Sequence, residues 1–275
     1  NINLSDFRTP ETSETRKTNN FEICKYYKNY KGAVSFSFNG TDYSHYNLAY
    51  PLLEKYHTKA TFAIDPELLS SVPERREADN AGLRRRLTIR ETEEMKADQH
   101  TLAIFSNNTD INKTSGLFQS KMNSKTLLLH TSQLNTTQTA DFAFVRTYNN
   151  KARKSHKGID YISLHGNEYS TAKLDSLFKR YEDSWFILNY KYLTPDIQSE
   201  RNPDLFIDQK KFEWQLRLAR NHNFWLTHEW NVYKYMIQRQ KSEVVISRYN
   251  NLIFVNLDTE LNTSVYDHPL TICYK

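Results

Sequence analysis

Apolar and polar positions along this chain switch repeatedly between a period of two and a period near 3.6. Residues 33–38 are rich in strand formers and run into Asn39-Gly40, a turn signal. Tyr46, Ala49, Tyr50, Leu53 and Tyr56 then recur at helical spacing, and residues 60–64 form a second strand. A short helix over 91–97 precedes strands at 101–105, 126–129 and 142–146. Strands at 161–165 and 185–188 bracket a helix over 172–181, and helical patterns return over 208–220 and 230–240. Strands alternating with helices predict an α/β fold built on a parallel sheet. The last strands, 243–246, 252–257 and 270–274, have no helices between them and read as a small antiparallel β appendage. Residues 1–20 are polar and aperiodic, an arm. The expected organisation is therefore arm 1–20, α/β body 21–242 and appendage 243–275.

Composition narrows the class. Eighteen Tyr, 15 Phe and 4 Trp give the 275-residue chain enough large apolar surface for a core, which excludes disorder for its body. The net charge of +5 is scattered. Its densest cluster, Arg84, Arg85, Arg86 and Arg90, is followed at once by Glu91, Glu93 and Glu94, and reads first as solvated surface and second as a site for an acidic polymer. No nucleic-acid motif accompanies it, and no apolar run reaches the length of a membrane span. Asn-x-Ser/Thr triplets stand at Asn3, Asn39, Asn107, Asn112, Asn135 and Asn262. The two cysteines, Cys24 and Cys273, lie near opposite ends; they read either as a disulfide of an exported protein or as two buried thiols. Triplets and cysteines together favour a secreted or extracellular chain.

The segment Gly32-Ala33-Val34-Ser35-Phe36-Ser37-Phe38-Asn39-Gly40-Thr41, with Ser44-His45-Tyr46, Ala49-Tyr50-Pro51-Leu52-Leu53-Glu54-Lys55-Tyr56 and Lys59-Ala60-Thr61-Phe62, resembles the opening of NodB-type polysaccharide deacetylases. That family reads strand, T-F-D-D-G, helix, then KYxxKATFF. Residues 94–110 sit where the family carries its histidine motif, residues 185–191 resemble its late strand ending in tyrosine-histidine-glycine, and 212–240 resemble its last helices. The resemblance implies a distorted (β/α)7 barrel with its groove at the carboxyl ends of the strands.

The resemblance also implies a chemistry. An aspartate and two histidines hold a divalent metal, zinc or similar, whose bound water attacks an amide. A second aspartate is the base and a late histidine the acid. Aligned without gaps, the aspartates fall on Asn39 and Gly40, the histidines on Phe105 and Thr109, and the acid on Lys191 or its neighbour Tyr190. None of these completes the metal site, so loss of the metal and of hydrolysis is expected, with no cofactor. Candidate sugar contacts are Asn39, Asp42, His130, His165, Glu168 and Lys191. Asp42 and His45 have Asp-x-x-His spacing, but two donors make an incomplete site, and a helix cap with a packed histidine explains them better. His228-Glu229 reads as structural. No Gly-rich phosphate loop, Cys-x-x-Cys pair or Gly-x-Ser-x-Gly elbow is present.

The expected function is a catalytically inactive, deacetylase-like protein that binds a glycan, an amino-sugar polymer, in the former groove. Two alternatives stay open. One is a structural or protein-interaction scaffold. The other is a divalent-metal-dependent N-deacetylase with a relocated site using Asp42, His45, His130 or His165.

Overall fold

A computed structural model describes residues 20–77, 81–106, 110–131, 139, 141–147, 153–200, 202–249 and 252–274. Strand β1 (Gly32–Asn39) organises the body, and all eight of its residues are buried because it has neighbours on both sides. Its alternation decides what faces where. Val34, Phe36 and Phe38 form one face, with Phe36 and Phe38 packing edge-on against Phe212 of a helix at 5.9 and 5.6 Å. Ser35 and Ser37 form the other, and each accepts a hydrogen bond there: Trp185 Nε1 donates to Ser35 Oγ at 3.0 Å and Arg146 Nη2 to Ser37 Oγ at 2.8 Å.

Eight further strands complete the sheet: β2 (Thr61–Ile64), β3 (Thr101–Ser106), β4 (Leu128–Thr131), β5 (Phe144–Thr147), β6 (Arg153–His156), β7 (Ile159–His165), β8 (Trp185–Tyr190) and β9 (Phe224–Leu226). Seven run parallel in the order β5-β4-β3-β2-β1-β8-β7. β6 adds antiparallel to β7, and β9 pairs with the first half of β1. β5 and β7 stand at opposite ends of the parallel run. Even so, Phe144 of β5 lies 5.8 Å from the ring of Tyr161 in β7 and 5.6 Å from Trp185 in β8. The sheet therefore curls into a parallel half-barrel whose interior side chains meet, the distorted barrel that the sequence leads one to expect.

Helices α1 (Tyr50–Lys55), α2 (Ile89–Ala97), α3 (Ile111–Met122), α4 (Thr171–Arg180), α5 (Gln209–Asn221) and α6 (Glu229–Lys241) join the strands. Helix α2 begins two residues before the expected 91, at a capping box in which the Thr88 hydroxyl and the Glu91 carboxylate satisfy each other's backbone amides. The arginine and glutamate run around it is an ion-paired surface in part: Arg85 pairs with Glu91 at 2.6 Å and Arg90 with Glu94 at 3.0 Å. The turn before α1, expected as ordinary helix, is π-helical over His45–Ala49.

The described chain divides into two compact units. Residues 30–233 hold the half-barrel. Residues 1–29 and 234–275 form the second unit, of which 1–19 are outside the described residues. In that second unit Phe21–Ile23 pairs antiparallel with Ile272–Tyr274, and Cys24 and Cys273 form a disulfide with a Cα–Cα distance of 5.5 Å. Strands β10 (Ser242–Tyr249) and β11 (Leu252–Thr259) form a regular antiparallel hairpin. The chain's final strand thus joins the residues near its start rather than the hairpin.

Candidate functional site

The interior of the half-barrel is layered from the amino to the carboxyl ends of its strands. Phe144, Tyr161, Trp185 and Tyr233 make an aromatic layer; Phe144 and Tyr233 rings are 5.0 Å apart. Above it lies a polar layer centred on Arg146, which is fully buried. Its guanidinium donates to both carboxylate oxygens of Glu229 at 3.2 Å, to Asn189 Oδ1 at 2.6 Å and to Ser37 Oγ at 2.8 Å. Glu229 is itself fully buried at the start of α6, where its backbone amide donates to Thr61 Oγ1 at 3.0 Å. Burial alone pushes the Glu229 carboxyl up. The charge of Arg146, together with hydrogen bonds from His130 and Ser37, more than offsets it and brings it down to about 2.

His130 completes the layer with no exposed surface. Burial, and then the neighbouring Arg146 charge, hold its imidazole below the usual value. The neutral ring keeps its proton on Nε2 and donates to Glu229 Oε2 at 3.0 Å. Nδ1 is then an acceptor facing Arg146 Nη2 at 3.1 Å; Asn39 Oδ1 stands 3.0 Å from it, and exchange of the oxygen and nitrogen of that amide turns the contact into a hydrogen bond donated by Asn39.

Asn39 connects this layer to a pocket of about 480 Å³ at the carboxyl ends of the strands, where barrel folds place their chemistry. Asn39 at the end of β1 and Gly40 just after it, Phe105 from β3, His165 at the end of β7 and Glu168 beyond it, and Lys191 after β8 all line it. These six, named from the sequence, line one pocket. Asp42 and His130, also expected as contacts, lie elsewhere. Asp42 is buried and accepts from Arg84 at 3.2 Å and from the Ser44 amide at 2.9 Å. His45, equally buried, donates from Nε2 to the Lys191 carbonyl at 2.8 Å. Both are committed to holding the loop after β1. Thr109 and the triplets at Asn3, Asn107 and Asn135 fall outside the described residues. Of the remaining triplets, Asn39 is buried, whereas Asn112 and Asn262 are exposed.

Three further features shape the pocket and its wall. Tyr190, which the sequence offers as an alternative to Lys191, and Tyr192 line it. Gly166 allows a close approach, because a Cβ there would meet Tyr190 Cε1 at 2.2 Å. Arg86, from the run that reads first as solvated surface and second as a site for an acidic polymer, is 6% exposed and lines the pocket. Arg146 did leave a trace: an arginine inside an otherwise apolar strand requires a buried partner, and Glu229 is that partner.

The metal implied by the resemblance does not fit these residues. Asn39 offers one neutral amide, Gly40 no side chain and Phe105 a ring. Among the described residues no three His, Cys, Asp or Glu side chains stand together as a ligand set. The backbone disagrees as well: Gly40 has φ of 101°, a conformation that residues with a Cβ rarely adopt.

No protein-family model and no curated protein sequence matches the chain. Solved structures that resemble it include polysaccharide and peptidoglycan deacetylases and a CE4 family pseudoenzyme. The peptidoglycan deacetylase PdaC from Bacillus subtilis is 10% identical, with 76% of this chain and 93% of that chain covered at a TM-score of 0.47. A CE4 family pseudoenzyme from Bacillus anthracis is 8% identical, with 75% and 66% covered at 0.45. The Xyl-CE4 domain of a multidomain xylanase from the hindgut metagenome of Trinervitermes trinervoides is 12% identical, with 74% and 89% covered at 0.46.

Proposed function

We propose that this chain is a non-catalytic, deacetylase-like protein that holds a glycan, an amino-sugar polymer, in the pocket at the strand ends and acts outside the cell. The observation that carries the reading is the exchange at that pocket. Asn39, Gly40 and Phe105 stand where the resemblance calls for a base and metal ligands, while the space itself is kept open. An amide, a half-buried phenyl ring, two tyrosines and His165 suit sugar hydroxyls and the apolar faces of pyranose rings better than they suit hydrolysis. No metal has a part in the reading. Export is supported by the disulfide and by the exposed triplets at Asn112 and Asn262. No helix among the described residues is long and apolar enough to cross a membrane.

The test is calorimetric titration with N-acetylglucosamine oligomers, run beside an acetate-release assay in the presence of zinc or cobalt. Binding that weakens at least tenfold in Phe105→Ala, with no acetate released, is the expected result. Metal-dependent acetate release would show that the protein is a hydrolase with a relocated site. Absence of binding to any glycan would remove the sugar reading.

A second reading, a protein-interaction scaffold, draws on the hairpin: Leu252, Ile253, Phe254, Val255 and Leu257 of β11 are all exposed. It requires that Phe254→Ser with Val255→Ser abolish a self-association or partner complex visible by sedimentation. Unchanged sedimentation would dismiss it.

A further inference from the structure

Arg86 is a buried pocket arginine that forms no ion pair among the described residues. It is 6% exposed. Among the described residues its Nη2 donates to the Glu77 carbonyl at 3.1 Å, while Nε is buried with no partner. Its immediate neighbours in sequence show the contrast: Arg84 pairs with Asp42 and Glu200, and Arg85 with Glu91. A buried guanidinium without a carboxylate carries a large desolvation cost, which an incoming anion can offset. The open space beside Arg86 is the pocket it lines.

Resting on the glycan reading above, we infer that the pocket selects a sugar bearing an oxyanion, a carboxylate or a sulfate ester, and that Arg86 receives it. A guanidinium offers parallel N–H groups to two oxygens of one such group, which a neutral hydroxyl cannot use. Lys191, half-buried on the same pocket wall, adds a second positive charge. The carboxylates that also line the pocket do not cancel this. Glu77, Glu168 and Asp204 are exposed, where water and salt screen them. Asp65 is half-buried and feels the Arg86 charge, but the two form no ion pair among the described residues, its Oδ1 accepts the Glu67 amide at 3.0 Å, and burial pushes its carboxyl up, away from the charged form.

The experiment compares four oligosaccharides of equal length by calorimetry at low and high salt: neutral N-acetylglucosamine, uronate-containing, O-sulfated and free-amine glucosamine. The wild-type protein should bind at least one acidic oligomer ten times or more tightly than the neutral one, and the uronate and sulfate arms tell which oxyanion is read. The preference should disappear in Arg86→Gln and fall severalfold in Lys191→Ala, which needs no buried substitution and so guards against misfolding of the first variant. Equal affinity for neutral and acidic oligomers, or a preference for the free amine, overturns the oxyanion assignment while leaving the glycan reading standing. No binding to any of the four removes both.

Discussion

Removing the positive member of the buried pair, Arg146→Met, tests the account of the half-barrel interior most directly. Both Arg146 and Glu229 have no exposed side-chain surface, so water cannot replace the lost partner. The fall of the Glu229 carboxyl from 4.5 to about 2 is equivalent to about 3 kcal/mol of preference for its charged form in the folded protein. Truncating one member of a buried pair typically costs about 3–5 kcal/mol, because the survivor remains charged and dry. The pH dependence has a definite sign. A carboxyl whose folded value is depressed contributes stability above its unfolded value near 4.5, and that contribution is lost as pH falls through about 2. In Arg146→Met the depressing charge is gone and burial pushes the carboxyl up, so the variant is weakest near neutrality and gains on the wild type as acid protonates Glu229. Urea unfolding followed by near-ultraviolet circular dichroism at pH 7, 5 and 3 reads this difference. A second variant, Arg146→Met with Glu229→Leu, should recover much of the loss at pH 7. A loss below about 1 kcal/mol at pH 7, or one that stays constant with pH, would refute the electrostatic reasoning.

Three shorter expectations accompany it. Gly166→Ala forces a methyl into the ring of Tyr190, whose hydroxyl is tied to Gln215 at 2.7 Å; destabilisation by about 1–3 kcal/mol and a distorted pocket are expected, read as a lower thermal midpoint and weaker glycan binding. Replacing Cys24 and Cys273 by serine opens a loop of 249 residues, and the loop-entropy model sets the loss at up to about 5 kcal/mol; unchanged thermal unfolding would contradict it. Asn39→Asp places a carboxylate about 3.0 Å from His130 Nδ1 and should raise the imidazole value, visible as a shifted histidine titration by NMR.

The elements that local pattern decides were legible. β1 alternates two phenylalanines with two serines, and both faces turn out to be used as that alternation requires. α4, α5 and α6 lie within a residue of their expected bounds because their apolar stripes are long and their neighbours are turn formers. α3 was not legible. Gly116 interrupts it, Thr114 and Ser115 lower its propensity, and it holds together through Asp110 capping the Lys113 amide and through the burial of Ile111, Phe118 and Met122. The final strand was visible as a strand but not its partner, since pairing with Phe21–Ile23 spans nearly the whole chain and has no local signature. At the site, the strand-end rule gathers Asn39, Gly40, Phe105, His165, Glu168 and Lys191 into one pocket. It says nothing about Arg86, whose destination depends on how the loop after β2 folds back over the strand ends.

The interior charge count bears on how such a site changes. Arg146 and Glu229 neutralise each other, His130 is neutral, and Asn39 joins them without adding charge. A carboxylate at position 39 would leave that layer with one excess negative charge unless His130 took up a proton. A side chain at position 40 would meet a backbone held at φ of 101°, and a donor at position 105 would displace a ring that now forms part of the pocket wall. The residues at these three positions are therefore compatible with one another, and none can be changed to a metal ligand alone without disturbing its neighbours. Introducing one ligand, as in Gly40→Asp, would strain the turn without building a metal site, because coordination needs several donors converging at once. Of the charged groups at the strand ends, Arg86, buried and without an ion pair among the described residues, is the one through which the proposed ligand selectivity is most open to measurement.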